Sequence, residues 1–182
     1  MSIQDPKKEL LEHLPAMRAF ARSLTMNHAA ADDLVQDTIV KAWSNLDKYQ
    51  PGTNLKAWLF TILRNTFYSS IRKRKWEVED VDDAQAALLS EKPAHDGVLA
   101  LQEFREAFRQ LPEDQREVLV LVGASGFSYE EAAEMCGCAV GTVKSRASRA
   151  RKRLSELLEL EDGESHGADD PKSLAVIANL AP

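Results

Sequence analysis

Two clusters of basic residues carry the chemistry that this sequence most clearly offers. One is the run at residues 72–75 (RKRK), and the other lies in residues 139–154, which contain six basic side chains and no acidic one. Clustered lysines and arginines bind polyanions because their charges neutralise phosphates. Either cluster alone could be a solvated helix face or a helix end favoured by the helix dipole. The presence of both favours a polyanion partner.

The residues typical of catalysis are scattered. The four histidines lie far apart, and no glycine-rich phosphate loop occurs, so we expect no enzyme activity, no metal and no cofactor. Cys136 and Cys138 are too few for a zinc site and too close for an ordinary disulfide, and we interpret them as packing residues. No apolar run reaches the length of a membrane helix and no secretory signal is present, which predicts a cytoplasmic protein without a membrane or small-molecule partner.

The net charge of −6, from 23 basic and 29 acidic residues, argues against a nucleic acid partner only if the charge is evenly spread. Residues 81–100 contain one basic and four acidic side chains, and residues 159–182 contain one basic and six acidic ones. The surplus acid therefore lies outside the two basic clusters, and the average charge does not exclude DNA.

The chain is predicted to be all-α. Apolar residues recur at steps of three and four, and none of the sequence alternates apolar with polar residues over the length of a strand. Residues 77–97 combine dense acids with a proline and a glycine, which predicts a flexible acidic linker. It would join two small helical domains, 1–76 and 98–158, and the acidic tail 159–182 is expected to be mobile.

The second domain has the layout of a helix-turn-helix. After a buried stretch at residues 117–121 (EVLVL), Ser128 and Glu131 have the spacing of a capping box, and Gly137 ends the short helix that follows. A longer helix begins near Val140, with an apolar stripe opposite basic and hydroxyl side chains. A DNA-reading helix and a nonspecific basic helix both fit, and the complete layout favours the first. The candidate DNA-contacting residues are Thr142, Lys144, Ser145, Arg146, Ser148, Arg149 and Lys152.

The first domain offers a possible protein-binding surface on the helix around residues 32–46. Its outer face encloses the apolar Val40 with polar side chains, which are Asp33, Gln36 and Asp37. A solvated face and the footprint of a partner protein both show this pattern. Taken alone, the pattern on this helix favours a solvated face.

The next helix, capped by Asn54, is predicted to bury Leu55, Trp58, Leu59, Ile62, Leu63 and Thr66. Its other side is expected to face outward, with a tyrosine between arginines. Cations that follow phosphates and a ring that stacks on an unpaired base suit single-stranded DNA, although an exposed tyrosine on a basic helix is also common. The candidate DNA-contacting residues of this side are Thr61, Arg64, Asn65, Tyr68, Ser69 and Arg72.

Four segments in one order resemble the extracytoplasmic-function sigma factors of bacterial RNA polymerase. They are residues 33–38 (DLVQDT), 54–65 (NLKAWLFTILRN), 111–116 (LPEDQR) and 141–151 (GTVKSRASRAR). Within that family, residues 121–133 and 136–142 resemble the alphaproteobacterial general-stress-response (EcfG-type) group.

The resemblance implies a sigma factor that directs core RNA polymerase to stress-response promoters and is held inactive by a small helical anti-sigma factor of the NepR type. The first domain would be sigma region 2. Its residues Asp33, Gln36, Asp37 and Val40 would dock on the polymerase clamp helices, which reverses the preference for a solvated face. The helix after Asn54 would separate the DNA strands at the minus-ten element and read its bases. The second domain, sigma region 4, would read a GGAAC-like minus-thirty-five element as duplex.

The alternative is a sigma-like mimic that binds the anti-sigma factor and not DNA. Such a mimic has no need of exposed cations in the two DNA-facing helices. The presence of Arg64, Arg72, Lys144, Arg149 and Lys152 therefore favours the sigma factor.

Overall fold

A computed structural model describes residues 6–78 and 96–158 of the 182-residue chain, with side chains described for residues 9–74 and 102–158. The predicted tail 159–182 lies outside these residues, as does most of the predicted linker. Helices extend two residues into each end of that linker, since one ends at Val78 and the next begins at Asp96.

The two described ranges form eight α-helices and contain no strand, which confirms the all-α prediction. The helices are α1 (Pro6–Glu12), α2 (Leu14–Thr25), α3 (His28–Ser44), α4 (Leu55–Val78), α5 (Asp96–Arg109), α6 (Glu113–Leu119), α7 (Tyr129–Cys136) and α8 (Val140–Leu157). A 3-10 turn at Leu46–Lys48 precedes α4, and a π-helical turn at Val120–Ala124 continues α6. Within these ranges, no helix combines the length and the apolar character that crossing a membrane requires.

The N-terminal module consists of α1–α4. Helix α3 begins at a cap in which the side chain of Asn27 accepts a hydrogen bond from the backbone N–H of Ala30, at 2.9 Å. The predicted cap of α4 is also present, because Asn54 accepts from the N–H of Ala57 at 3.1 Å. Each cap satisfies a backbone donor that the helix itself leaves unpaired. These local bonds determine where α3 and α4 begin, the two helices of this module that carry predicted binding residues.

The C-terminal module consists of α5–α8 and contains the predicted helix-turn-helix. The Ser128 hydroxyl accepts from the N–H of Glu131, whose carboxylate accepts from the N–H of Ser128, which completes the predicted capping box. Gly137 ends α7 with φ at 63°, in the left-handed region that glycine adopts without strain. The predicted apolar stripe of α8 is buried at Val143, Ala147, Ala150 and Leu154.

The two modules pack against each other and share one hydrophobic core. Phe60 of α4 stacks on Phe20 of α2, with ring centroids 5.1 Å apart, and meets Phe127 of the C-terminal module edge-on at 5.0 Å. Phe60 is fully buried, and Phe67 is buried as well, although neither was in the predicted core of α4. Trp58 and Ile62, which were predicted to be buried, are only partly so. Phe60 is missing from the predicted core because its burial depends on Phe20 and Phe127, which lie far away in the sequence.

Candidate DNA and polymerase interfaces

Helix α8 presents the predicted basic surface of the C-terminal module. The side chains of Lys144, Ser148, Arg149 and Lys152 are exposed; the last three lie opposite the buried stripe, and Lys144 lies beside it. Within the described residues, the side chains of Arg149 and Lys152 form neither hydrogen bonds nor ion pairs. These cations therefore point outward from the second helix of a helix-turn-helix, the position from which such helices read the major groove.

Three of the predicted residues of α8 make contacts within the C-terminal module. The Arg146 Nε lies 2.9 Å from an Asp114 carboxylate oxygen, so part of its charge is neutralised by α6. The Ser145 hydroxyl donates to the backbone carbonyl of Thr142 at 2.9 Å, which is a common local bond for a serine within a helix. Lys144, although exposed, lies 5.7 Å from the ring centroid of Tyr129. Arg146 therefore differs from the outward cations Arg149 and Lys152, because it also links α8 to α6 within the C-terminal module.

Helix α3 carries the predicted protein-binding surface. Asp33, Gln36, Asp37 and Val40 are all exposed on one side of the helix, with 63% of Val40 accessible. Trp43 lies three residues after Val40 and is 51% exposed, and the sequence reasoning missed it. The missed signal was an aromatic residue at helical spacing from a surface already singled out. Two exposed large apolar side chains with acids beside them are typical of a protein interface.

The residues of helix α4 that were predicted to contact single-stranded DNA fall into two groups in the structure, one exposed and one facing the C-terminal module. Asn65, Ser69 and Arg72 are exposed, and Arg72 donates to the Ser69 hydroxyl at 3.2 Å. The hydroxyl of Thr61 donates to the backbone carbonyl of Ala57 at 2.9 Å. Arg64 and Tyr68 were expected on the same outward side, and this expectation is wrong for the present arrangement because both face the C-terminal module.

Arg64 and Tyr68 converge on the carboxylate of Glu117, which lies in α6. The Nε of Arg64 donates to one carboxylate oxygen at 2.7 Å and its Nη2 to the other at 3.4 Å, and the Tyr68 hydroxyl donates to the second oxygen at 3.2 Å. The guanidinium also lies 4.6 Å from the centre of the Tyr68 ring. Glu117 is fully buried. We refer to these three residues as the Glu117 triad.

Burial determines the protonation behaviour of the triad. Burial raises the pKa of Glu117, while Arg64 and the Tyr68 hydroxyl oppose the rise. Burial alone would lower the pKa of Arg64, but pairing with Glu117 outweighs it and the pKa is raised. The pKa of Tyr68 is also raised, first by burial and then by the Glu117 charge, so the phenol remains a donor. The sequence reasoning missed Glu117 as a functional residue. The feature that could have identified it is a glutamate within the stretch predicted to be buried, residues 117–121.

More contacts join α4 to the C-terminal module on the same side. The side-chain amide of Asn54 donates to a Glu131 carboxylate oxygen at 2.8 Å, and the Lys56 ammonium donates to the Ser125 carbonyl. Lys56 also lies 4.9 Å from the centre of the Phe127 ring. Burial lowers the pKa of Lys56, and Glu131 opposes this effect. We call these contacts, together with the Glu117 triad and the Phe60–Phe127 pair, the seam.

The described residues contain no cluster of three histidine, cysteine or acidic side chains that could hold a metal. Both cysteines are free thiols, with Cys136 buried and Cys138 partly buried. Burial raises the pKa of Cys136 to about 12, and the nearby Glu117 charge adds to this rise. A thiol with so high a pKa is a poor nucleophile at neutral pH.

Comparison with known proteins gives a consistent result. The family model Sigma-70 region 2 matches residues 10–77, and the model Sigma-70, region 4 matches residues 101–154. The chain is 56% identical over 164 residues to the ECF RNA polymerase sigma factor EcfG of Rhodopseudomonas palustris, covering 90% of this chain and 91% of that protein.

Two solved structures have similar folds. The sigma factor RpoE of Bartonella quintana, in complex with the anti-sigma factor NepR, is 58% identical with a TM-score of 0.77, covering 85% of this chain and 97% of that one. The anti-anti-sigma factor PhyR of Bartonella quintana, complexed with NepR, is 16% identical with a TM-score of 0.54, covering 84% of this chain and 51% of that one. The second likeness is one of fold alone.

Proposed function

Because the chain belongs to the sigma-70 family, as an extracytoplasmic-function sigma factor of the general-stress-response type, we propose that its two modules divide promoter recognition between them. Residues 1–76 would bind core polymerase and the minus-ten element, and residues 98–158 would bind the minus-thirty-five element. The observation that carries this proposal is the pair of separate polar surfaces, one on α4 and one on α8, each built on a helix whose opposite side is buried.

The minus-thirty-five surface is proposed to be the outward side of α8. Exposed arginine and lysine side chains suit the guanine acceptors of a major groove, and hydroxyls accept or donate as the base requires. Arg149, Ser148 and Lys144 would contact base edges, whereas Lys152 would contact a phosphate. Thr142, Ser145 and Arg146 lie at the margins, and Arg146 would position the helix through Asp114 as well as contact the backbone of DNA.

The polymerase surface is proposed to be the exposed side of α3, with Asp33, Gln36, Asp37 and Val40 docking on the clamp helices of core RNA polymerase. We add Trp43 to this set, since it extends the apolar centre formed by Val40. An exposed tryptophan is among the side chains that contribute most to binding when a partner covers them.

The minus-ten surface is proposed to be the polar side of α4. Asn65, Ser69 and Arg72 are already exposed, with Thr61 beside them. Arg64 and Tyr68 complete the set only when Glu117 no longer holds them. An aromatic ring and a guanidinium side by side would then stack on an unpaired base and hold a phosphate.

We infer that the protein acts in the cytoplasm, where polymerase and promoters are, and that it has no catalytic activity of its own. A small helical anti-sigma factor of the NepR type is its proposed inhibitor, by likeness to the RpoE–NepR complex. The mimic alternative is disfavoured because the outward cations of α8 have no role in a protein that does not bind DNA, and because identity to the sigma factors far exceeds identity to PhyR.

The experiment that tests the proposal is in vitro transcription with core polymerase on a promoter that carries a GGAAC-like upstream element. We expect specific transcripts when the protein is added, and loss of those transcripts when a NepR-type anti-sigma factor is added first. A promoter with a scrambled upstream element is the control. Failure of the protein to support transcription while it still binds the anti-sigma factor would establish the mimic instead.

A further inference from the structure

A cavity of about 130 Å³, which we call the interface cavity, lies between the two modules. Helix α2 and the start of α3 line it on the N-terminal side, and α5 and the turn after α6 line it on the C-terminal side. None of its lining residues belongs to the seam or to the proposed DNA and polymerase surfaces. We propose that the interface cavity binds a small organic acid, with a ring-sized apolar body inside and a carboxylate or phosphate group against arginines.

The polar part of the lining is basic. Arg22 of α2 and two arginines of α5, Arg105 and Arg109, line the cavity together with His28, and no acidic residue is among the described residues that line it. Arg105 and Arg109 are exposed, and Arg22 is half-buried. Cations gathered around one recess, in a chain whose net charge is −6, create a local positive potential that attracts an anion.

The two arginines of α5 have donors to offer a ligand. Within the part of the chain that the structure describes, the Arg105 side chain forms neither a hydrogen bond nor an ion pair. The Nη1 of Arg109 donates to Glu106 at 3.5 Å, which is long for such a bond, and its other N–H groups take no part in it. Because a guanidinium matches the two oxygens of a carboxylate or phosphate, both arginines suit an acid.

The interior of the interface cavity is apolar. Phe108 and Val120 line it and are buried, and Met26 lines it and is partly buried. Its volume is close to the roughly 150 Å³ of an apolar protein cavity that holds one benzene molecule. A ring in this position would contact these three side chains and would itself be removed from water.

The combination of the two parts defines the class of ligand. An inorganic anion could pair with the arginines but would make no use of the apolar interior, and a neutral ring would make no use of the arginines. An acid that carries a ring uses both. Since the lining comes from both modules, such a ligand would bridge α2 and α5, and by mass action it would stabilise the packed arrangement of the protein.

The test is a titration of the isotope-labelled full-length protein, followed by nuclear magnetic resonance at about 0.15 M salt, where distant exposed charges are largely screened. The probes are benzoate and phenyl phosphate. We expect saturable shifts at the amides of lining residues, among them Ala19, Met26, Val120 and Ala124. Benzyl alcohol has the ring without the charge and acetate has the charge without the ring, so each should bind at least about tenfold more weakly than benzoate.

Arg105→Gln tests the ionic part of the site. It removes one guanidinium from an exposed position, and it should weaken binding of both acids about tenfold while leaving that of benzyl alcohol unchanged. Arg18→Gln is the matched control, because Arg18 is an exposed arginine of α2 that does not line the cavity and lies 3.8 Å from an Asp32 carboxylate oxygen. It should keep the affinity of the wild type.

Ala19→Leu tests the apolar part, since it places a larger side chain in the cavity from the N-terminal module. It should abolish the saturable shifts, whereas Ala29→Leu, at an exposed position outside the cavity, should not. If Ala19→Leu fails to fold by circular dichroism, Arg105→Gln decides the question. Binding of only one acid would identify the preferred acidic group. Acetate that binds as tightly as benzoate, the absence of saturable shifts with either acid at millimolar concentration, or binding that Arg105→Gln leaves unchanged would each overturn the proposal.

Discussion

Replacing Arg149 by alanine isolates one proposed base contact of α8. The side chain is exposed and, within the described residues, forms neither a hydrogen bond nor an ion pair, so its removal leaves the fold intact. Lys152 is exposed on the same side but is proposed to contact a phosphate. The two substitutions therefore differ in what they should do to sequence preference.

The magnitude follows from the kind of contact. A good arginine contact to guanine contributes about 1–3 kcal/mol of discrimination, so Arg149→Ala should weaken binding to the preferred promoter by about 5- to 150-fold. The penalty for a wrong base at the contacted position should largely disappear. Lys152→Ala should weaken binding about equally for all sequences and reduce the dependence of log affinity on log salt by about one unit.

The assay is the affinity of reconstituted holoenzyme for promoters that differ by single base pairs in the upstream element, at two or more salt concentrations. Arg153→Ala is the matched control, because Arg153 is an exposed arginine of α8 that pairs with Glu156 at 3.4 Å and is not in the proposed surface. It should change affinity little. Equal weakening of every sequence by Arg149→Ala and Lys152→Ala would refute the assignment of Arg149 as a base contact.

Three further predictions concern the fold and its titratable groups. Ser128→Ala removes the cap of α7 and should lower the free energy of unfolding in urea by about 1 kcal/mol, whereas Ser148→Ala, at an exposed position inside α8, should lower it less; equal losses would count against the cap. Iodoacetamide at neutral pH should label Cys138 before Cys136, whose pKa burial raises to about 12, and mass spectrometry that finds Cys136 labelled first would contradict this order. Because burial raises the pKa of Glu117, the folded protein binds more protons than the unfolded chain between the ordinary glutamate pKa and the raised one, so stability contributed by this group falls as pH rises through that window. The free energy of unfolding of the wild type minus that of Glu117→Gln should accordingly decrease with pH, and a difference that increases would refute the direction of the shift.

The local features of this protein were predictable from the sequence. The capping box at Ser128, the cap at Asn54 and the end of α7 at Gly137 each depend on residues within four positions of one another. The apolar stripe of α8 follows from helical periodicity, and so does the outward direction of Arg149. The motifs that resemble a sigma factor are likewise contiguous segments, which is why the family could be inferred from the amino-acid sequence alone.

The contacts between the modules were decided by the tertiary structure. Arg64 and Glu117 are 53 residues apart and Asn54 and Glu131 are 77 apart, and no periodicity within one helix relates such positions. The sequence indicated that Arg64 lies off the core face of α4, but a polar side of a helix can face either water or another module. The present structure places it against a buried carboxylate. Helix limits and faces are set by neighbours in the chain. Whether a polar side chain of α4 faces solvent, DNA or Glu117 depends on how the two modules pack together, which involves residues far apart in the sequence.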